Sequence, residues 1–225
     1  MKNYISLSKK ALLLGGAFVM FTSCDDGDLA DIYKGSSSGE YVSDVNWTEA
    51  ANKSTETYIK YFFENAGGRN TFAGEIYWEK PNTPETGEPV STGGSGGWSQ
   101  GHALDIVTDA YVRHADNSEY QTYLYENIMK PFLPAFDEWN WTCGYGGNDF
   151  WNNFYDDMEW MALACLRVYE LTGDQDYYSA LMKMWDHIKG AKNDYKGVGG
   201  MAWKTDLPAS RMSCSNGPGC LLAMK

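Results

Sequence analysis

Two stretches of this sequence, VRHADNSEYQTYLYENIMK (residues 112–130) and YELTGDQDYYSALMKMWDHIK (residues 169–189), follow one plan. Each runs from a helix end through a short acidic turn to a tyrosine, and then into an amphipathic helix. Helices joined by turns this short must pack as antiparallel hairpins, because the connection has no length in which to lead elsewhere. Repeated hairpins with longer loops at one end suit an α/α toroid, and at this level a helical solenoid equally. Apolar periodicity predicts helices over residues 47–64, 98–115, 118–129, 153–171 and 174–189, and no run alternates as a strand would. The expected class is all-α. The stretch PNTPETGEPVSTGGSGG (residues 81–97) is too rich in Gly, Pro and Thr for a regular element. SNGPGCLLAMK (residues 215–225) reads as a helix start, with Ser215 or Asn216 at the N-cap and Pro218 in the first turn. That helix has no end within the sequence, so a fragment of a larger protein is expected.

Ahead of the helices lies a segment of a different kind. Lys2, Lys9 and Lys10 precede the apolar run ALLLGGAFVMF (residues 11–21), which is too short to span a bilayer and reads as a secretory signal. It ends in FTSC, which resembles a bacterial lipoprotein cleavage box and implies cleavage before Cys24 with lipidation of that residue. The following DDGD resembles the export signal of surface lipoproteins in Bacteroidetes-type bacteria. Residues 24–44, with KGSSSGE inside, suit a polar tether from the outer membrane. The expected organisation is thus a signal over 1–23, a tether over 24–44 and a folded domain over 45–225.

Charge narrows the partners. The chain carries a formal −12, and removal of residues 1–23 takes away three Lys and no acid, leaving −15. Such a balance argues against nucleic acid. Nine Trp and sixteen Tyr are unusually many, and such rings serve either as core or as flat faces on which sugars stack. Cys165 lies in an apolar helical run and reads as an inert core thiol, whereas Cys143, Cys214 and Cys220 could pair in an oxidising compartment in ways spacing does not assign. His102, His114 and His187 show no metal-ligand spacing, so no metal and no cofactor are expected.

The stretch NNFYDDMEWMALACL (residues 152–166) carries the chemistry. Asp156 and Asp157 stand side by side where a helix begins, among Phe150, Trp151, Phe154, Tyr155 and Trp160. At about 100° per residue, Asp156 shares a polar sector with Glu159, Arg167 and Glu170. Asp157 shares an apolar one with Trp160, Met161, Ala164 and Val168. Desolvation then makes Asp157 the harder to ionise, so one residue type supplies both an acid and a nucleophile. A helix start that merely favours acids in its first turn is the competing reading.

FYDDMEWMALACLRVYELTGDQDYY closely resembles the central motif of glycoside hydrolase family 76, the α-1,6-mannanases. GGWSQGHALD (residues 96–105), GVGGMAWK (197–204) and SNGPG (215–219) match further family motifs in the family's order. The resemblance covers most of residues 47–225 and implies an (α/α)6 barrel, of which this chain would hold about the first half. It also implies a retaining mechanism on a mannan backbone, with Asp156 as nucleophile and Asp157 as acid/base. Trp98 and Trp203 are candidate stacking platforms, or core. Gln100, Asn153 and Asn216 are candidate hydrogen-bond partners for sugar hydroxyls, or helix caps. The alternatives carried forward are a surface glycan-binding lipoprotein without catalysis and an inactive truncated hydrolase.

Overall fold

The computed structural model describes residues 45–64, 69–74, 76–77, 90–91, 97–142, 146–147 and 149–225. The export signal, Cys24 and the tether, all within residues 1–44, lie outside the described residues, as does Cys143. The first helix, α1 (Trp47–Tyr58), runs on into a π-helical turn (Ile59–Glu64). Then come α2 (Gly97–Arg113), α3 (Ser118–Leu124) and α4 (Lys130–Thr142), with a π-helical turn (Tyr125–Met129) between the last two. After a loop follow α5 (Tyr155–Thr172), α6 (Gln175–Ile188) and, last, α7 (Ser213–Ala223). Among the described residues no helix is long and apolar enough to cross a membrane.

The two look-alike turns do use one device. In each, a side-chain oxygen caps the incoming helix: Asn117 accepts from the Tyr120 amide at 3.0 Å, and Asp174 from the Asp176 amide at 2.8 Å. Ahead of the second cap, Gly173 takes φ 73° and gives its amide to the Tyr169 carbonyl, a left-handed helix end that a side chain would strain. Helix α5 is thereby folded back on α6, and it also packs against α2 and α7, so it is the central element. Its Met158, Met161, Cys165 and Val168 meet Leu104 and Val107 of α2 and Tyr177, Met184 and Ile188 of α6 in one buried cluster. The Tyr177 hydroxyl, inside that cluster, donates to the Met129 carbonyl at 2.7 Å. Cys165 sits at the centre, and burial pushes its thiol far above the usual range.

Several expectations require correction. The helix expected to stop at residue 129 continues to Thr142 through the π-helical turn, which shifts the hydrogen-bond register just before Pro131 and lets Pro134 sit inside the helix. Strands exist as well. β1 (Ile76–Tyr77) pairs with β2 (Val90–Ser91), the latter inside the stretch expected to be irregular, and β3 (Lys192–Tyr195) pairs antiparallel with β4 (Val198–Met201). The β3–β4 loop is two residues long, Lys196 and Gly197, both with positive φ (52° and 80°). Neither strand alternates in burial, which is why periodicity passes over them. Finally, α7 begins at Ser213 after Met212, so Ser215 and Asn216 lie within it and Pro218 lies beyond its first turn.

Gln100 shows how a motif residue serves the fold. It is wholly buried, and its amide both accepts from the Phe72 N–H at 3.0 Å and donates to the Phe72 carbonyl at 2.8 Å. Gln100→Leu leaves two buried backbone groups unpaired and is expected to lower stability by about 2–4 kcal/mol, read as a shift in denaturant midpoint.

Candidate active site

The site is built where the N-terminal ends of α5, α2 and α7 come together. The approach to α5 is tightly held. Asp149 and Phe150 both take left-handed conformations (φ 59° and 62°), and the Phe150 amide donates to Asp137 at 2.8 Å. Asn152 then accepts from the Phe154 amide at 2.8 Å, and the strand-like segment after β4 clamps the start of the helix. In that clamp the Tyr155 amide donates to the Trp203 carbonyl at 2.9 Å and the Thr205 amide to the Asn153 carbonyl at 3.0 Å. The GVGGMAWK motif therefore acts here as a brace for the carboxylate helix.

Asp157 packs against the start of α2, beside Phe136, Phe150, Met158, Met161 and Met184. Burial among these side chains and the neighbouring Asp156 charge push its carboxyl up to about 6, against hydrogen bonds from the Trp98 and Gly97 amides and the Asn152 side chain. The two amides are the free donors of the α2 N-terminus, so Asp157 caps a helix other than its own. Gly97 gives this contact its room: a Cβ there would crowd Asp157, 3.0 Å from Oδ2. One turn on, Gly101 lets α2 touch the α5 backbone, since a Cβ would sit 3.1 Å from the Trp160 carbonyl. The GGWSQGHALD and FYDDMEWM motifs thus meet face to face.

Asp156 looks the other way, toward α7. Cys214 hydrogen-bonds to it, and burial together with that carboxylate raises the thiol. Asp156 Oδ1 is buried without a partner. Glu159, expected on a polar sector with Asp156, is instead 0% exposed, because α7 covers that flank. Burial first, then the Asp156 charge, raises its carboxyl to about 9.

The other sequence candidates divide. Trp98 is 52% exposed at the first turn of α2, directly beside Asp157, with its ring edge-on to His102 (5.8 Å), which in turn packs on Trp160 (4.9 Å). Trp203 is half-buried against Phe154, ring centroids 5.1 Å apart. The Asn153 side chain accepts from the Thr205 hydroxyl. Asn216 accepts from the Met201 amide at 2.9 Å and donates to the Met201 and Met212 carbonyls, tying β4 to α7. Gln100 reaches only Phe72. Asn152 was not among the candidates, although it alone of the asparagine pair touches an acid. Its position two residues before the N-cap Phe154, where Asx turns form, is the signal that points to it. Cys165, Cys214 and Cys220 are free thiols.

Antiparallel helical hairpins with paired carboxyls at the start of a central helix define a domain of the α/α-barrel class. No protein-family profile and no curated protein matches the chain, but solved structures do. The GH76A α-1,6-mannanase of Salegentibacter sp. HEL1_6 superposes with a TM-score of 0.60 at 32% identity, over 80% of this chain and 44% of that one. An inactive variant of that enzyme, with two consecutive aspartates replaced by alanine, is in complex with α-1,6-mannotetrose. The Lin0763 protein of Listeria innocua matches with a TM-score of 0.59 at 26% identity, over 80% of this chain and 46% of that one. In fold and sequence this chain is similar to glycoside hydrolase family 76 α-1,6-mannanases, whose fold is the (α/α)6 barrel, and it spans less than half their length.

Proposed function

We propose that this chain carries the catalytic carboxyls of a retaining glycoside hydrolase that cleaves α-1,6-mannosidic linkages. Asp156 is the nucleophile and Asp157 the acid/base. The observation that carries this is the split between the two neighbours. One is half-buried among apolar side chains and pushed up to about 6, so that it holds a proton in mildly acidic water; the other is turned to a different flank. The inactivity of the Salegentibacter variant in which two consecutive aspartates are replaced supports a catalytic role for such a pair.

In this mechanism Asp157 gives its proton to the departing O6 while Asp156 attacks the anomeric carbon from the opposite face. The glycosidic bond breaks as a mannosyl ester forms on Asp156. Asp157, now a carboxylate, takes a proton from water; the hydroxyl displaces Asp156 and the product leaves with its α configuration. The exposed face of Trp98, whose own amide holds Asp157, is placed to stack on a sugar ring next to the cleaved bond. The same reading takes Cys24 as the lipid anchor that holds the domain on the outer face of the cell, supported by the FTSC box alone.

The test is to incubate residues 25–225 with linear α-1,6-mannan and follow the new reducing ends by proton NMR. The α-anomer should appear first, with the β-anomer growing in only by mutarotation. A folded chain that binds α-1,6-mannotetraose and releases nothing would leave the non-catalytic glycan-binding reading in its place.

A further inference from the structure

Buried polar atoms without partners gather on one side of the site. Asp156 Oδ1 and both Glu159 carboxyl oxygens, on the flank of α5 that α7 faces, are buried and without a hydrogen-bond partner. A buried carboxyl with neither oxygen bonded costs several kcal/mol, so one this well enclosed invites a role. The mechanism above does not use Glu159.

We propose that Glu159 is a positioning residue for Asp156: sealed between α5 and α7, it stays uncharged and donates its carboxyl proton to Asp156 Oδ1. The proposal rests on the nucleophile role given to Asp156. Residues three apart on a helix stand on one face, so the two carboxyls are neighbours on α5. Glu159 is 0% exposed, and among the described residues neither of its carboxyl oxygens has a hydrogen-bond partner. The charge acting on it is Asp156 of its own helix. From α7 comes Gly219, where a Cβ would collide with Met201 and reach 3.1 Å from Glu159 Oε1, so the helix closes directly on the acid. In that enclosure burial and the Asp156 charge both favour the protonated form, and a protonated carboxyl is a strong donor to a carboxylate. One proton then satisfies Glu159 and the orphaned Asp156 oxygen together. It fixes the orientation of the nucleophile on the side that α7 covers.

Two variants separate donation from packing. Glu159→Gln keeps a neutral donor, and Glu159→Leu keeps the volume without one. Glu159→Gln should retain kcat within about threefold, and Glu159→Leu should lose about 10- to 100-fold in kcat with little change in KM. Equal kcat in parent and Leu variant, or equal losses in both variants, would overturn the proposal. A second measurement needs no activity. Carbon-13 labelling of the Glu carboxyls should show Glu159 protonated at pH 7 in the parent and titrating at lower pH in Asp156→Asn. A Glu159 that titrates in the ordinary carboxyl range, or at the same pH in both proteins, would sink the coupling. A parent that cleaves no mannan overturns the catalytic reading instead, and the titration still decides whether the two carboxyls share a proton.

Discussion

Replacing either aspartate of the pair is expected to reduce release of reducing sugar from linear α-1,6-mannan by at least about 10³-fold. The substitutions should differ once the leaving group changes. Asp157→Asn keeps an oxygen to accept from the Gly97 and Trp98 amides, so the α2–α5 contact survives, but it has no proton to give. On an aryl α-mannoside whose phenol departs without protonation, Asp157→Asn should recover much of its first step, whereas Asp156→Asn should not. Equal loss on both substrates would remove the assignment of separate roles.

The pH profile follows from the same geometry. A general acid raised to about 6 is protonated below that value, so kcat/KM on mannan should fall as pH rises through about 6 and beyond. Because its folded value lies above the unfolded 3.8, the folded state binds the extra proton between these values. Stability therefore decreases as pH climbs from about 4 to about 6. Asp157→Asn should remove its share of the stability slope in that window, leaving the share of Glu159, whose folded value of about 9 also lies above the unfolded 4.5.

The second large effect is expected at Gly101. In Gly101→Val the new Cβ meets main-chain atoms of Trp160 and Met161 at 3.1 Å, and a helix backbone cannot turn aside as a long side chain can. Helices α2 and α5 must separate, at a cost of about 2–3 kcal/mol, which for a domain of this size lowers Tm by roughly 4–12 °C. The consequence reaches the chemistry. The Gly97 and Trp98 amides sit one turn away and lower the Asp157 carboxyl. As they draw off, that carboxyl rises, and the alkaline limb of the activity profile moves to higher pH. Gly217→Ala on α7 is the control. Nothing lies within 4 Å of a Cβ there, so stability and profile should stay put. A Val variant as stable as the parent would show that α2 does not touch α5 in solution.

The helices and their hairpin turns were legible because local rules decide them. Amphipathic periodicity places Tyr177, Leu181, Met184 and Ile188 on one face of α6, and Asn117 and Asp174 announce the caps. The presence of two acids at the start of a helix was legible for the same reason. Asp157 shares its face of α5 with Met161, and that face is the buried one. The β3–β4 hairpin was not, since neither strand presents an alternating face and its two-residue turn is its one signal.

What periodicity misassigned is Glu159. On the wheel it belongs with Arg167 and Glu170, yet it is fully buried, while Arg167 reaches Asp105 at 2.6 Å and Asp109 at 2.5 Å on α2. A helical wheel tells which residues share a face, but not what another element will lay across that face. That α7 covers Glu159, that α2 lends its first amides to Asp157, and that Gln100 and Asn216 bond to Phe72 and Met201 are facts about elements far apart in sequence. The sequence by itself determined the helices, their turns and the pair of acids. Only the tertiary structure decided which acid meets apolar walls, which meets a thiol and which is shut away from water, because desolvation and hydrogen bonding at a carboxyl depend on what is packed against it.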